Sequence, residues 1–308
     1  MNAQETLQFI REHLEQFTSA CFSLGGGTKE YNRFTFKIKL AEIIPELEDS
    51  SWKSIKEALD ELNEVNLIKP LPGSSYSNDI YLFFPKKHDI FSIANIIYVN
   101  SYFAHYTALS LNQLTVNKSN TIYLKKETKK PSSSEKNKVD QKTIDIVFSK
   151  PMRKSEKITE IYWNNNLYRI VFLEGYLLPK TNNDLLNKNN NLFYSGIERT
   201  LIDCVIRPSY SGGVSSVLNG FVAAKDTLDI EKMATFMNYL NYFYPYERSI
   251  ALYMKFANFP EEKIRLFLSL IKKDEANYNF YLDYQMLKKG FDSDLKIYYP
   301  FDLSISDE

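Results

Sequence analysis

Apolar residues recur at three- and four-residue steps along the first part of the chain, which is the spacing of amphipathic helices. This pattern predicts helices over residues 4–22, 40–47 and 51–66, with a short extended piece at 33–38. Bulky apolar runs at 67–72 and 80–84 flank a polar turn and predict a β-hairpin. The predicted order is therefore helix, short strand, two helices and hairpin.

The pattern changes after about residue 90, where segments that alternate like strands come before most of the helices. The predicted strands cover 121–126, 144–148, 158–163, 167–173 and 294–299. The predicted helices cover 102–109, 197–207, 213–225, 229–243, 247–257 and 261–272. The sequence therefore predicts an α+β protein. A winged helix-turn-helix domain at 1–90 would precede a larger mixed α/β domain at 91–308 with a C-terminal helical cluster.

In a winged helix-turn-helix domain, the third helix enters the major groove of DNA and the hairpin contacts the backbone. The candidate DNA contacts lie on the predicted third helix, before it and beside the hairpin: Lys37, Lys39, Lys53, Ser54, Lys56 and Lys69. Residues 1–90 nevertheless carry ten Lys and Arg against fourteen Asp and Glu. Because phosphate neutralisation dominates DNA affinity, the alternative is a winged helix that docks protein rather than DNA.

The overall charge is balanced, with 38 Lys and Arg against 38 Asp and Glu, but the middle of the chain is basic. Residues 117–157 hold twelve Lys and Arg against five acids. The candidate phosphate contacts in this basic band are Lys125, Lys126, Lys129, Lys130, Arg153 and Lys154. The alternative is that the lysine-rich stretch at 127–142 is a solvated loop.

The sharpest polar pattern lies in residues 196–214, where a predicted helix ends at Pro208 and a second helix starts after a glycine pair. Its distinctive residues are Glu198, Arg199, Asp203, Gly212 and Gly213. The charged members can form a contact surface or a functional site, or they can pair within the fold and hold it in register. The second explanation is favoured for Asp203, and both stay open for Arg199.

The residue types that most enzyme sites require are sparse. The three histidines and two cysteines show no metal-ligand spacing, so neither a metal nor another cofactor is expected. A nuclease site built from Asp140, Lys142, Asp145 and Glu174 is the catalytic alternative, and it is disfavoured because the first two lie in or beside the lysine-rich stretch. The sequence therefore predicts a protein that is not an enzyme. No apolar run approaches the ~20 residues of a membrane span, so a cytoplasmic protein without membrane contact is expected.

Several short motifs occur in order along the second part of the chain: Ser101–Leu109, Leu114-Thr115, Thr121–Leu124, Glu198–Cys204 with Pro208, and Gly212-Gly213-Val214. Together they resemble the C-terminal domain of AbiEi-type antitoxins of bacterial type IV toxin–antitoxin systems. Arg153 also falls where this family tends to place an arginine. The resemblance spans about residues 90–260, whereas residues 1–90 match the family only in architecture.

The resemblance implies a winged-helix repressor that binds inverted repeats of operator DNA in its own promoter, where a homodimer would match the symmetry of the site. It also implies a C-terminal domain that neutralises a nucleotidyltransferase toxin in abortive infection of phage, without a stable complex. The expected partners are therefore operator DNA and the toxin.

Overall fold

The computed structural model describes residues 1–25, 31–62, 65–68, 80–85, 89–98, 101–128, 140–163, 165–176, 186–189, 192–272 and 277–304. The described chain is a mixed α/β protein with two compact units. The first unit comprises Met1–Ser101, Asn120–Leu124 and Ser155–Phe172. The second unit comprises Tyr102–Ser119, Lys125–Lys154 and Leu173–Glu308. In the part of the chain that is described, no helix is both long enough and apolar enough to cross a membrane.

Helices and strands are numbered in chain order. The helices are α1 (Ala3–Glu12), α2 (Leu14–Gly25), α3 (Arg33–Ile43), α4 (Trp52–Leu62), α5 (Ile90–Ile97), α6 (His105–Leu111), α7 (Gln141–Ser149), α8 (Ile197–Ile206), α9 (Val214–Ala224), α10 (Ile230–Leu240), α11 (Tyr246–Phe256) and α12 (Glu261–Leu270). The strands are β1 (Tyr31–Asn32), β2 (Val65–Ile68), β3 (Ile80–Pro85), β4 (Tyr102–Phe103), β5 (Thr121–Thr128), β6 (Ile158–Trp163), β7 (Asn166–Tyr176), β8 (Leu186–Asn189), β9 (Leu192–Ser195), β10 (Phe280–Tyr281), β11 (Lys289–Asp292) and β12 (Ile297–Pro300).

A small core in the first unit is built from helical residues that recur at the predicted spacing. It contains Ile10, Phe17, Leu40, Ile44 and Ile55, which are all fully buried. Strand β3 pairs antiparallel with both β1 and β2, which gives a three-stranded sheet in the order β1-β3-β2. The predicted hairpin is therefore present as β2 and β3, with residues 69–72 of its first run lying outside the described residues.

Two predictions for the front of the chain are wrong. The segment predicted as a single helix over 4–22 forms two helices, α1 and α2. His13 is the C-cap of α1, and its ring stacks on the ring of Phe9 with 4.4 Å between the centroids. The extended piece predicted at 33–38 is the start of α3. The alternating sequence at 33–38 resembles a strand, but the segment continues into Leu40 and Ile44, which lie one helical turn apart and are both buried.

The hairpin predicted around Asn164–Asn166 is confirmed. Strands β6 and β7 pair antiparallel from Ile158↔Val171 to Trp163↔Asn166. Asn165 takes the turn with a φ of 61°, in the left-handed region that asparagine tolerates better than most residues.

The second unit has its main core among the five predicted C-terminal helices, which are confirmed as α8 to α12 within a few residues at each end. Phe221 of α9 and Tyr253 of α11 stack at 5.4 Å near its centre. Beside the helices, β9 pairs parallel with β4 and antiparallel with β8. The predicted last strand is β12, which lies between β10 and β11 in a separate small sheet.

The strand predicted at 144–148 is wrong, because this segment is helix α7. Asp140 caps the helix, since its Oδ1 accepts a hydrogen bond from the backbone N–H of Thr143 at 2.8 Å. Ile144 and Phe148 then lie one turn apart and are both buried. The local cap and the helical spacing therefore outweigh the strand-like alternation of the sequence.

Candidate functional site

Helix α8 carries the distinctive charged motif, and almost its whole length is buried. Every residue from Glu198 to Val205 is buried. The first turn is anchored by Thr200, whose Oγ1 donates to the backbone oxygen of Ser195 at 2.9 Å. Asn112 Nδ2 also donates to that oxygen at 2.9 Å. The charged side chains of the motif are therefore held inside the second unit.

Arg199 is the centre of a buried ion network. Its Nε lies 3.1 Å from Oδ1 of Asp203, one turn along the same helix, and its Nη2 lies 2.9 Å from Oε1 of Glu127 on β5. Arg199 and Asp203 are each only 2% exposed. The arginine therefore links α8 to β5 through two charge-assisted hydrogen bonds.

Lys125 completes the network from the same strand. Its Nζ donates to Oδ1 of Asp203 at 2.9 Å, and the residue is 8% exposed. Lys125 and Glu127 are two positions apart on β5, so both side chains lie on the same face of the strand. Lys125 therefore does not belong to an exposed basic band, and this part of the sequence prediction is wrong.

A glycine makes room for the buried lysine. A Cβ atom on Gly175 would lie 2.7 Å from Cε of Lys125, which is closer than real Cβ contacts. The absence of a side chain at this position of β7 therefore leaves room for the lysine chain.

We call the four charged residues that meet here the Arg199 network: Lys125, Glu127, Arg199 and Asp203. The network contains two cations and two carboxylates, so its formal net charge is zero. Tyr102 adds a hydrogen bond, since its hydroxyl donates to Oε1 of Glu127 at 2.9 Å. Buried charges are tolerated when they are paired and hydrogen-bonded in this way.

The electrostatics favour an ionised Asp203 at neutral pH. Burial alone would raise the pKa of Asp203, but Arg199 and Lys125 outweigh it and hold that pKa well below its usual range. Burial and the neighbouring Arg199 lower the pKa of Lys125. Burial lowers the pKa of the nearby His105 to about 3, so this imidazole is neutral at pH 7.

Glu198, the first acid of the motif, has a different partner. Its Oε2 lies 3.1 Å from Nζ of Lys232, and its Oε1 accepts from the backbone N–H of Asp229 at 3.3 Å. Asp229 is the N-cap of α10, so Glu198 joins α8 to the start of that helix. The two acids of the motif therefore hold α8 to two different neighbours.

Gly212 and Gly213 form the corner between α8 and α9. Their φ angles are 82° and 88°, in the left-handed region that favours glycine. The backbone N–H of Gly213 donates to the oxygen of Pro208 at 2.9 Å. The glycine pair therefore serves the backbone conformation of the turn.

The predicted DNA contacts divide into surface and interior positions. Lys53 is 85% exposed on α4, and Lys56 is also exposed. Lys37 and Lys39 are half-buried on α3, and Lys39 pairs with Glu42 at 2.7 Å. Lys69 lies outside the described residues.

Ser54 does not belong to this surface, contrary to the prediction. The residue is 3% exposed, and its backbone N–H donates to Oγ of Ser51 at the start of α4. It therefore serves the helix cap.

The predicted basic band is only partly described. Arg153 and Lys154 are exposed, and Lys126 is half-buried. Lys129 and Lys130 lie outside the described residues.

Two acids of the nuclease alternative have structural partners within the fold. Asp140 caps α7, and Asp145 accepts a hydrogen bond from the hydroxyl of Tyr281 at 2.8 Å. Glu174 is exposed on β7, and Lys142 is exposed on α7. Among the described residues, no group of three or more His, Cys, Asp or Glu could hold a metal ion.

Sequence reasoning found Arg199 and Asp203 but missed Lys125, Glu127, Tyr102 and Gly175 as their neighbours. The available signal was the two-residue spacing of Lys125 and Glu127, but the predicted strand ended at residue 126 and left Glu127 in the lysine-rich stretch. Nothing local in the sequence indicated that this face meets α8, because Lys125 and Asp203 are 78 positions apart.

Comparisons with known proteins inform the fold alone. No protein-family model matches the chain, and no curated protein matches it. One similar solved structure is the crystal structure of the RV2827C protein from Mycobacterium tuberculosis, with a TM-score of 0.57. The two sequences are 10% identical, and the match covers 94% of this chain and 92% of that chain. The likeness therefore supports a shared fold over almost the whole length.

Proposed function

We propose that this protein is an antitoxin and autoregulatory repressor of a type IV toxin–antitoxin operon, and that it is not an enzyme. The first unit binds operator DNA, and the second unit counters a nucleotidyltransferase toxin. Support comes from the AbiEi-like motifs, which occur in the family's order along the chain. The acids and the arginine of the most distinctive motif are used in ion pairs, which favours a structural role over chemistry.

The observation that carries the DNA-binding half is the arrangement of elements in the first unit. Helices α3 and α4 precede the β2–β3 hairpin, and β1, directly before α3, adds a third strand to β3. This is the order that a winged helix-turn-helix domain requires, with α4 as the recognition helix. The proposal therefore assigns the major-groove surface to the exposed side of α4.

Lys53 and Lys56 supply the positive charge of that surface at the start of α4. Lys53 lies 3.9 Å from Glu57, but both side chains are more than half exposed. Such a surface pair contributes little energy, so Lys53 can exchange this carboxylate for a phosphate. Two such monomers on an inverted repeat would double the number of phosphate contacts.

The test of the first half is fluorescence anisotropy with duplex DNA from the region upstream of the gene. Lys53→Ala and Lys56→Ala should each weaken binding, and each should reduce the slope of log affinity against log salt by about 1. Lys272→Ala, an exposed lysine of the second unit, is the matched control and should change neither quantity. Absence of binding at low salt, where phosphate attraction is largest, would refute the DNA-binding half.

The test of the second half is rescue of growth. A nucleotidyltransferase encoded beside the gene should arrest growth when expressed alone, and co-expression of the full chain should restore it. Lys53→Ala should still restore growth, because it alters the DNA surface alone. Failure of the full chain to restore growth would refute the antitoxin half.

The second candidate is a protein-interaction regulator whose winged helix docks protein. The acidic balance of residues 1–90 favours it, as does the exposed Glu57 beside Lys53 on α4. Co-purification with a protein partner, together with the same weak affinity for every DNA duplex, would select this candidate.

A further inference from the structure

The small C-terminal sheet has one buried face and one open face. On the buried face, Phe280 of β10 and Ile297 of β12 are fully buried. On the open face, the strand register puts Tyr281, Tyr298 and Phe291 side by side across β10, β12 and β11. The open face therefore carries one aromatic ring from each of the three strands.

These rings form a continuous row that begins in the core. Phe148 of α7 stacks on Tyr281 at 5.5 Å with an interplanar angle of 16°. Tyr281 then lies 5.0 Å from Tyr298, and Tyr298 lies 4.7 Å from Phe291. We call these four rings the aromatic row.

The aromatic row ends at solvent. Within the described sheet β11 is an edge strand, because β12 separates it from β10. Phe291 is 44% exposed, so it presents aromatic surface to solvent at the outer end of the row. A further planar ring placed there would extend the row by one member at the usual spacing of stacked aromatics.

Positive charge lies on the same face. Lys289, two residues before Phe291 on β11, has its Nζ 4.9 Å from the ring centroid of Tyr281 and 5.8 Å from that of Tyr298. Lys289 and Phe291 are two positions apart on β11, so both side chains belong to this face. The lysine therefore lies over the two tyrosines and leaves Phe291 uncovered.

Two acids near the aromatic row already have partners in the fold. Asp292 projects from the opposite side of β11 and pairs with Lys255 at 2.6 Å. The hydroxyl of Tyr281 donates a hydrogen bond to Oδ1 of Asp145 at 2.8 Å. These two carboxylates therefore do not compete directly for Lys289.

We propose that the open face of the C-terminal sheet binds single-stranded nucleic acid. A base stacks on Phe291 and extends the aromatic row, while Lys289 contacts an adjacent phosphate. Aromatic rings on a sheet face with basic residues beside them are the features that single-strand binding proteins use. This surface belongs to the second unit and does not depend on the proposed role of α4.

The test is fluorescence anisotropy of the full chain with a labelled 15-nucleotide oligothymidylate and with an abasic 15-mer of equal charge. Phe291→Ala should weaken binding of oligothymidylate by about tenfold and leave the abasic strand unchanged, because only the former can stack. Lys289→Ala should weaken both strands and flatten their salt dependence. Phe291→Trp should bind oligothymidylate about as tightly as the wild type, because tryptophan can also stack on a base.

Phe301→Ala is the matched control, since Phe301 is an exposed aromatic outside the aromatic row, and it should leave both affinities unchanged. Lys53→Ala should also leave them unchanged, so the DNA surface of α4 is tested separately. Equal affinity of Phe291→Ala and the wild type for oligothymidylate would overturn the proposal. Loss of a dimer in sedimentation of Phe291→Ala, with unchanged oligothymidylate affinity, would assign the face to a second copy of the chain instead.

Discussion

Asp203 is the residue whose replacement should cost the fold most, because both cations of the Arg199 network share its Oδ1. Asp203→Asn keeps the size of the side chain and removes one negative charge. Lys125 and Arg199, at 2.9 and 3.1 Å, would then be balanced by Glu127 alone. Leaving a buried charge without its partner typically costs about 3–5 kcal/mol, and we expect a loss of that size in the free energy of unfolding at pH 7.

The loss should shrink as the pH rises. Burial and Arg199 already lower the pKa of Lys125, and removal of Asp203 lowers it further. Between that folded pKa and the unfolded value near 10.4, the unfolded chain binds more protons, so the variant gains stability with pH. As the pH rises toward the unfolded value, deprotonation of Lys125 relieves part of the imbalance.

The assay is urea unfolding followed by far-UV circular dichroism at pH 7 and pH 9.5, with hydrogen exchange over α8 to locate the effect. Arg265→Met is the matched control. It breaks the exposed pair of Arg265 with Glu261 at 3.2 Å and should cost at most about 1 kcal/mol. The double variant Asp203→Asn, Lys125→Met restores the charge balance and should be more stable than Asp203→Asn alone.

A small effect would refute this reasoning. If Asp203→Asn unfolds within about 1 kcal/mol of the wild type at pH 7, the buried charges are not energetically coupled. If the double variant is less stable than the single one, lost packing rather than charge imbalance determines the cost.

Two further predictions concern neighbours of the network. Burial lowers the pKa of His105 to about 3, so below pH 6.5 the unfolded chain binds one more proton than the folded chain. The free energy of unfolding therefore decreases as the pH is lowered. Between pH 6.5 and 5 this group should cost about 2 kcal/mol, and His105→Asn, which tolerates the φ of 51°, should remove that slope in urea titrations while His13→Asn keeps it. Gly175→Ala should cost about 1–3 kcal/mol, because its Cβ would lie 2.7 Å from Cε of Lys125. A double-mutant cycle with Lys125→Ala should remove most of that cost, and an undiminished cost would place the strain elsewhere.

Local sequence signals were sufficient to predict those elements whose apolar spacing and terminal residues both indicate the same type of structure. The β6–β7 hairpin and helices α8 to α12 were predicted because their apolar periodicity and polar turns point to the same structure. The strands predicted at 33–38 and 144–148 were wrong because short alternating runs of apolar residues are compatible with both a strand and a helix. In the second case the cap at Asp140 decides the outcome, and its contribution was not used in the prediction.

The candidate site was predictable only in part for a different reason. Arg199 and Asp203 lie one turn apart, so their pairing is a local property of a helix. Lys125 was placed in an exposed basic band because neighbouring lysines dominate that stretch of sequence. Its burial depends on β5 meeting α8 across 78 positions of sequence, which no local pattern specifies.

The charge cancellation around Arg199 also constrains how this chain can diverge. Loss of any one of the four ionised side chains leaves an unmatched charge in the interior, whereas loss of an oppositely charged pair does not. Descendants of this sequence should therefore keep these positions together or exchange them in compensating pairs. Covariation between residues 125 and 203 would consequently identify distant relatives that position-by-position similarity overlooks.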